Sequence, residues 1–128
     1  MTDISVSAYI FSTLTSVVIL FQLALALGAP LGEMAMGGKF PGRFPPQMRI
    51  VALIQVAILV MVTLIVLIRA GLVPGQYSEI SETAIWFVVA FCIVGVVLNT
   101  ITPSKKERIM WAPVTIILLI CVLIVANS

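Results

Sequence analysis

Histidine is absent from this chain, and its 128 residues include only seven basic and five acidic side chains. The commonest proton shuttle and metal ligand is therefore missing. The two cysteines, Cys92 and Cys121, have no CxxC spacing and fall in apolar surroundings, so they read as buried packing residues. No cluster has metal-ligand spacing and no cofactor fingerprint occurs, so no catalytic, metal or cofactor site is expected. Charged residues make up 9% of the chain, where a soluble domain carries about a quarter. A soluble globular domain is thereby excluded.

What is present is apolar: 62% of positions. Four runs stand out, at about 6–29, 50–68, 83–101 and 109–126, each close to the ~20 residues that cross ~30 Å of hydrocarbon. The expected fold is all-α, a bundle of four transmembrane helices forming one integral membrane domain over 1–128. The first run is read as a crossing and not a signal peptide, because Asp3 and no Lys or Arg precedes it and its apolar stretch is too long.

Four crossings divide the basic residues unevenly. Lys39, Arg43, Arg49, Lys105, Lys106 and Arg108 fall on one side and Arg69 on the other. Basic residues next to crossings are retained in the cytoplasm, so loops 30–49 and 102–108 are expected inside and both termini outside a bacterial inner membrane. Trp86 and Trp111 are expected at the two membrane interfaces, with Arg69 snorkelling outward. Thr102-Pro103 and the capping-box spacing Ser104-x-x-Glu107 mark the start of the fourth helix, and Ser78 with Glu79 and Glu82 that of the third.

Within the helices, Ser5, Tyr9, Ser12 and Ser16 fall on one face, a mostly small stripe that favours close helix packing in lipid. Gln22 lies six residues before Gly28 and Gln55 six after Arg49. Both amides are then about 9 Å inside the same boundary, at matched depth for a bond to each other, with Asn99 and Thr100 in the same leaflet. They form either a structural amide cluster or the floor of a small cavity beneath the loop.

That loop concentrates special backbone chemistry. Residues 28–49, GAPLGEMAMGGKFPGRFPPQMR, hold five of eight glycines and four of seven prolines. Glycine permits positive φ and proline stiffens the path between, which makes a shaped connection. Lys39-Phe40 and Arg43-Phe44 repeat a basic-aromatic pair across Pro41-Gly42, suited to rings in the interface and cations on lipid phosphates. Glu33 is the single acid there, available to pair with Lys39, Arg43 or Arg49 or to ligate something small. The alternative is a plain helix connector.

The segments Leu-Gly-Ala-Pro-Leu-Gly-Glu (27–33), Gly-Gly-Lys-Phe-Pro-Gly (37–42) and Thr-Pro-Ser-Lys-Lys-Glu-Arg (102–108) resemble an uncharacterised family of small bacterial four-helix inner-membrane proteins. The resemblance spans the chain and implies the architecture and source, without an activity or functional residues. Proton-coupled transport and intramembrane hydrolysis usually need an ionisable group inside a crossing, and no acid falls inside the four runs. Three readings stand open. The first is a non-catalytic, lipid-interacting or accessory membrane protein; the second, a small-solute channel or carrier acting as an oligomer; the third, a membrane enzyme acting on lipid. Expected partners are membrane lipids, anionic ones included, and further copies of the chain, with no nucleic acid. The residues singled out for a ligand or lipid site are Gln22, Glu33, Lys39, Phe40, Arg43, Phe44, Arg49, Gln55 and Asn99.

Overall fold

The computed structural model describes residues 3–73 and 78–127, Ser78 by its backbone alone. Four helices follow one another: α1 (Asp3–Ala26), α2 (Pro46–Arg69), α3 (Ser78–Ile101) and α4 (Lys105–Ala126). Two single 3₁₀ turns, Gly32–Met34 and Met36–Gly38, punctuate the α1–α2 loop. Each helix is long and apolar enough to cross a membrane. The protein is all-α, a four-helix bundle of multi-pass membrane type.

The later three helices start four or five residues before their apolar runs, at Pro46, Ser78 and Lys105. Apolar content marks only the part immersed in hydrocarbon, whereas the backbone keeps its helical bonds through a polar first turn. Pro46 opens α2 at a position where a missing N–H costs nothing. At the other end, α1 stops at Ala26 because Gly28 takes φ +98°. Ala29 N–H then bonds Ala24 O at 2.9 Å and Gly28 N–H bonds Leu25 O at 3.1 Å, a Schellman termination. The same pair closes α2 around Gly71, with Leu72 N–H on Leu67 O and Gly71 N–H on Ile68 O, both at 3.0 Å. The capping expected of Ser78 lies outside the described residues.

Sequential helices pack side by side, and α1 meets α4 to close the ring. The interior divides into two packed regions. One, toward the terminal end, joins Ala8 and Phe11 of α1, Val62 and Val66 of α2, Ile85, Val88, Val89 and Cys92 of α3, and Leu118, Cys121, Val122 and Val125 of α4. Both cysteines are free and buried there, as packing residues should be. The other, at the loop end, gathers Leu25, Ala35, Phe44 and Ala52, with Phe21, Leu31, Phe40 and Met48 against them. α3 contributes nothing to this second region and buries no side chain between Ile93 and Ile101.

Large apolar side chains such as Leu20, Phe87, Val94 and Ile120 remain exposed on every helix, as a hydrocarbon solvent allows. One packing expectation is corrected. The inward face of α1 carries Ser7, Ala8, Phe11 and Thr15, while Tyr9 and Ser16 of the small-residue stripe are exposed. The stripe has no need of a neighbour, because Ser12 Oγ bonds Ala8 O at 2.8 Å and Ser16 Oγ bonds Ser12 O at 2.7 Å within the same helix. Thr63 and Thr100 return their hydroxyls to the preceding turn in the same way.

Candidate functional site

The α1–α2 loop is an ordered lid, and its fold begins with Gly32. Its N–H bonds Gly42 O at 2.9 Å, so the chain from 32 to 42 closes on itself. A Cβ at Gly32 would sit 1.8 Å from Phe40 O and 2.7 Å from Gly42 O, an approach no other residue permits. The closed loop turns Phe44 inward against Leu25, Ala35 and Ala52, leaving it 3% exposed, with Phe40 edge-on at 6.0 Å between ring centroids. Phe44 is thus a core residue of the lid and not an interfacial anchor. The ring finds a ready-made apolar pocket, and burying it there removes more surface from water than the interface would. Arg49 holds the base of the lid: its Nε bonds Phe44 O at 3.0 Å and its guanidinium lies beside Gly28.

The lid docks on the beginning of α4. Ser104 caps that helix by accepting from Glu107 N–H at 3.2 Å. The other half of a capping box does not form, because the Glu107 side chain turns away and Ser104 N–H is taken by Thr102 Oγ1 at 3.2 Å. Glu107 Oε2 instead accepts from Gly37 N–H at 3.3 Å, in the lid. Ser104 Oγ donates to Glu33 O, and Trp111 Nε1 donates to Met34 O at 3.0 Å. Pro103 lies close beside Gly37, and the Ser104 Cβ beside Gly38.

Three expectations are revised, two of them by this docking. Glu33 pairs with Lys106 at 2.6 Å, and with none of Lys39, Arg43 or Arg49, because the two loops of this end come together. That pair is exposed at both partners and contributes little to stability. Trp111 is 8% exposed and packed against Phe21 at 4.8 Å between centroids with the rings tilted at 58°, so its ring turns into the bundle beneath the lid and not outward to the surroundings. Trp86, on α3, is exposed. Gln22 and Gln55 make no hydrogen bond to each other.

Between the lid and the terminal-end core lies a cavity of about 910 Å³. Its deeper walls are apolar, from Val18, Ile58, Leu59, Phe91, Cys92 and Leu118. Most of its polar groups, Gln22, Gln55, Asn99, Thr102, Lys39 and Glu107, lie toward the lid, with Thr115 deeper on α4. Asn99 directs its amide nitrogen at Gly95 O, 2.7 Å away, while Gly95 itself leaves the wall thin on α3. Of the nine residues singled out from sequence, the structure brings Gln22, Lys39, Phe40, Phe44, Gln55 and Asn99 onto this one surface. Glu33, Arg43 and Arg49 stand outside it, Arg43 exposed and Arg49 bracing the lid.

Glu107 was not among those residues, yet it is the one acid in the lining and is 6% exposed. It belongs to the first turn of α4 and not to a 102–108 loop. A start of α4 at Lys105 sets Glu107, Trp111, Thr115 and Leu118 on one inward stripe at helical spacing, a signal available from the Ser104 cap. Among the described residues no group of acids, thiols or histidines could hold a metal ion. Comparison with protein families, curated proteins and solved structures found no match to this chain.

Proposed function

We propose that this protein is a non-catalytic lipid-binding protein of a bacterial cytoplasmic membrane, which holds the apolar part of one membrane amphiphile inside the bundle. The observation that carries this reading is the 910 Å³ cavity with apolar depth and a polar collar under the lid. Its volume is in the upper part of the ~300–1,000 Å³ range of ligand sites, and its polarity gradient matches an amphiphile with its head toward the loop end. α3 supports entry from the bilayer, since its loop-end half packs no buried side chain while its other half is firmly seated through Ile85, Val88 and Cys92. The six basic residues on the loop side favour a cytoplasmic lid. A solute path along the bundle axis is less favoured, because Phe11, Val66, Ile85 and Val122 fill the terminal end.

Gly95→Phe tests the reading. A Cβ there would meet nothing closer than a Thr115 methyl at 3.8 Å, so a side chain can start from this position, which lines the cavity. Lipid extracted from the purified wild-type protein in neutral detergent should contain a retained amphiphile that the variant lacks. Equal retention of the same lipid by both proteins would sink the proposal.

A further inference from the structure

We infer, resting on the lipid-binding reading, that the amphiphile's head carries an ammonium group and that Glu107 receives it. A carboxylate removed from water needs a cation or a full set of donors. Glu107 has neither. It is 94% buried by complement of its 6% exposure, and it makes no ion pair among the described residues. One long bond, from Gly37 N–H to Oε2, is its contact with the lid, while Oε1 accepts no bond among the described residues and keeps open surface. Five basic residues of this end are close in sequence or on the lid, yet each is engaged or turned elsewhere. Lys106 is on Glu33, Arg108 on Thr102 O, Arg49 on Phe44 O, and Lys105 and Arg43 are exposed.

The helix N-terminus gives a partial account of the acid, since a negative charge is favoured in the first turn of α4. It does not account for the direction of the side chain. A carboxylate serving only the helix would turn back to Ser104 N–H, which is satisfied by Thr102 instead. Glu107 lines the cavity together with the amides of Gln22, Gln55 and Asn99, which can accept further N–H bonds from the same head. An ammonium on Glu107 would complete a charge-assisted bond at a carboxylate that is 6% exposed. Lys39 lines the same cavity without pairing to Glu107, which leaves a cation free for a phosphate. Ammonium heads occur on simple long-chain amines and on zwitterionic aminophospholipids, and the second would engage Lys39 as well.

Trp111 reports on the site, since it lines the cavity one turn from Glu107, and Trp86→Phe makes it the sole tryptophan. The full chain in neutral detergent is titrated with dodecylamine, dioleoyl phosphatidylethanolamine, dioleoyl phosphatidic acid and dioleoylglycerol, reading Trp111 emission. The two amines should bind about tenfold or more tighter than the diacylglycerol, and Glu107→Gln should remove that margin while leaving diacylglycerol binding in place. Glu107→Asp keeps the charge and should keep the ranking, which guards against a fold defect in the Gln variant. Phosphatidylethanolamine ahead of dodecylamine, with Lys39→Gln weakening the phospholipid alone, identifies the aminophospholipid as source; the reverse order identifies a simple amine. Wild-type preference for phosphatidic acid or diacylglycerol, or an amine preference unchanged in Glu107→Gln, overturns the inference and leaves the cavity reading standing. No response to any of the four overturns both.

Discussion

Gly32→Ala tests whether the lid is built as described. The new methyl carbon would lie 1.8 Å from Phe40 O and 2.7 Å from Gly42 O, both backbone atoms that no rotamer change can move. The loop has to open at this crossing, losing the Gly32–Gly42 bond, worth about 1 kcal/mol net. Opening also loosens Phe44 from Leu25, Ala35 and Ala52. Complete removal of a buried Phe costs about 3–5 kcal/mol, so partial loosening together with the bond should total about 2–4 kcal/mol. Gly42→Ala is the control. Its φ of +79° imposes about 1–2 kcal/mol of strain on an L-residue, but its Cβ would meet nothing within 4 Å. Thermal unfolding in detergent should therefore rank wild type above Gly42→Ala above Gly32→Ala. Trypsin cleavage after Lys39 and Arg43 should accelerate most in Gly32→Ala. If Gly32→Ala matched Gly42→Ala in both measurements, the closure between residues 32 and 42 would be wrong.

Two further outcomes are expected. The Thr15 hydroxyl is buried in α1 without a hydrogen-bond partner, so Thr15→Val, nearly the same shape, should stabilise the protein by about 1 kcal/mol; a lower melting temperature would show that the hydroxyl has a partner. For orientation, single cysteines at the exposed Glu79 and Lys105, in a background lacking Cys92 and Cys121, should differ toward an impermeant reagent on intact cells. Glu79→Cys should react and Lys105→Cys should not, and the opposite result would reverse the topology.

The helix count and the membrane setting were legible in the composition, because ~20 apolar residues in a row have few other uses. Local backbone chemistry was legible in part: Ser104 caps α4, since such a signal acts over a few residues, whereas the first run was carried to residue 29 and α1 ends at Ala26, before the positive φ of Gly28. Placing Gln22, Gln55 and Asn99 in one leaflet followed from helical rise alone, and all three line the cavity. What sequence could not decide was which loop groups meet across the chain. Lys106 wins Glu33 over nearer cations because Gly32 folds the lid onto α4, a contact between residues 73 positions apart. Trp111 and Phe44 turn inward for the same reason: an aromatic ring follows the apolar volume available to it, and that volume exists only once lid and helices are assembled. Glu107 is the clearest case. Its spacing from Ser104 is local information, but its burial, its bond to Gly37 and its place on the cavity wall arise from the docking of one loop on another, which no local pattern encodes.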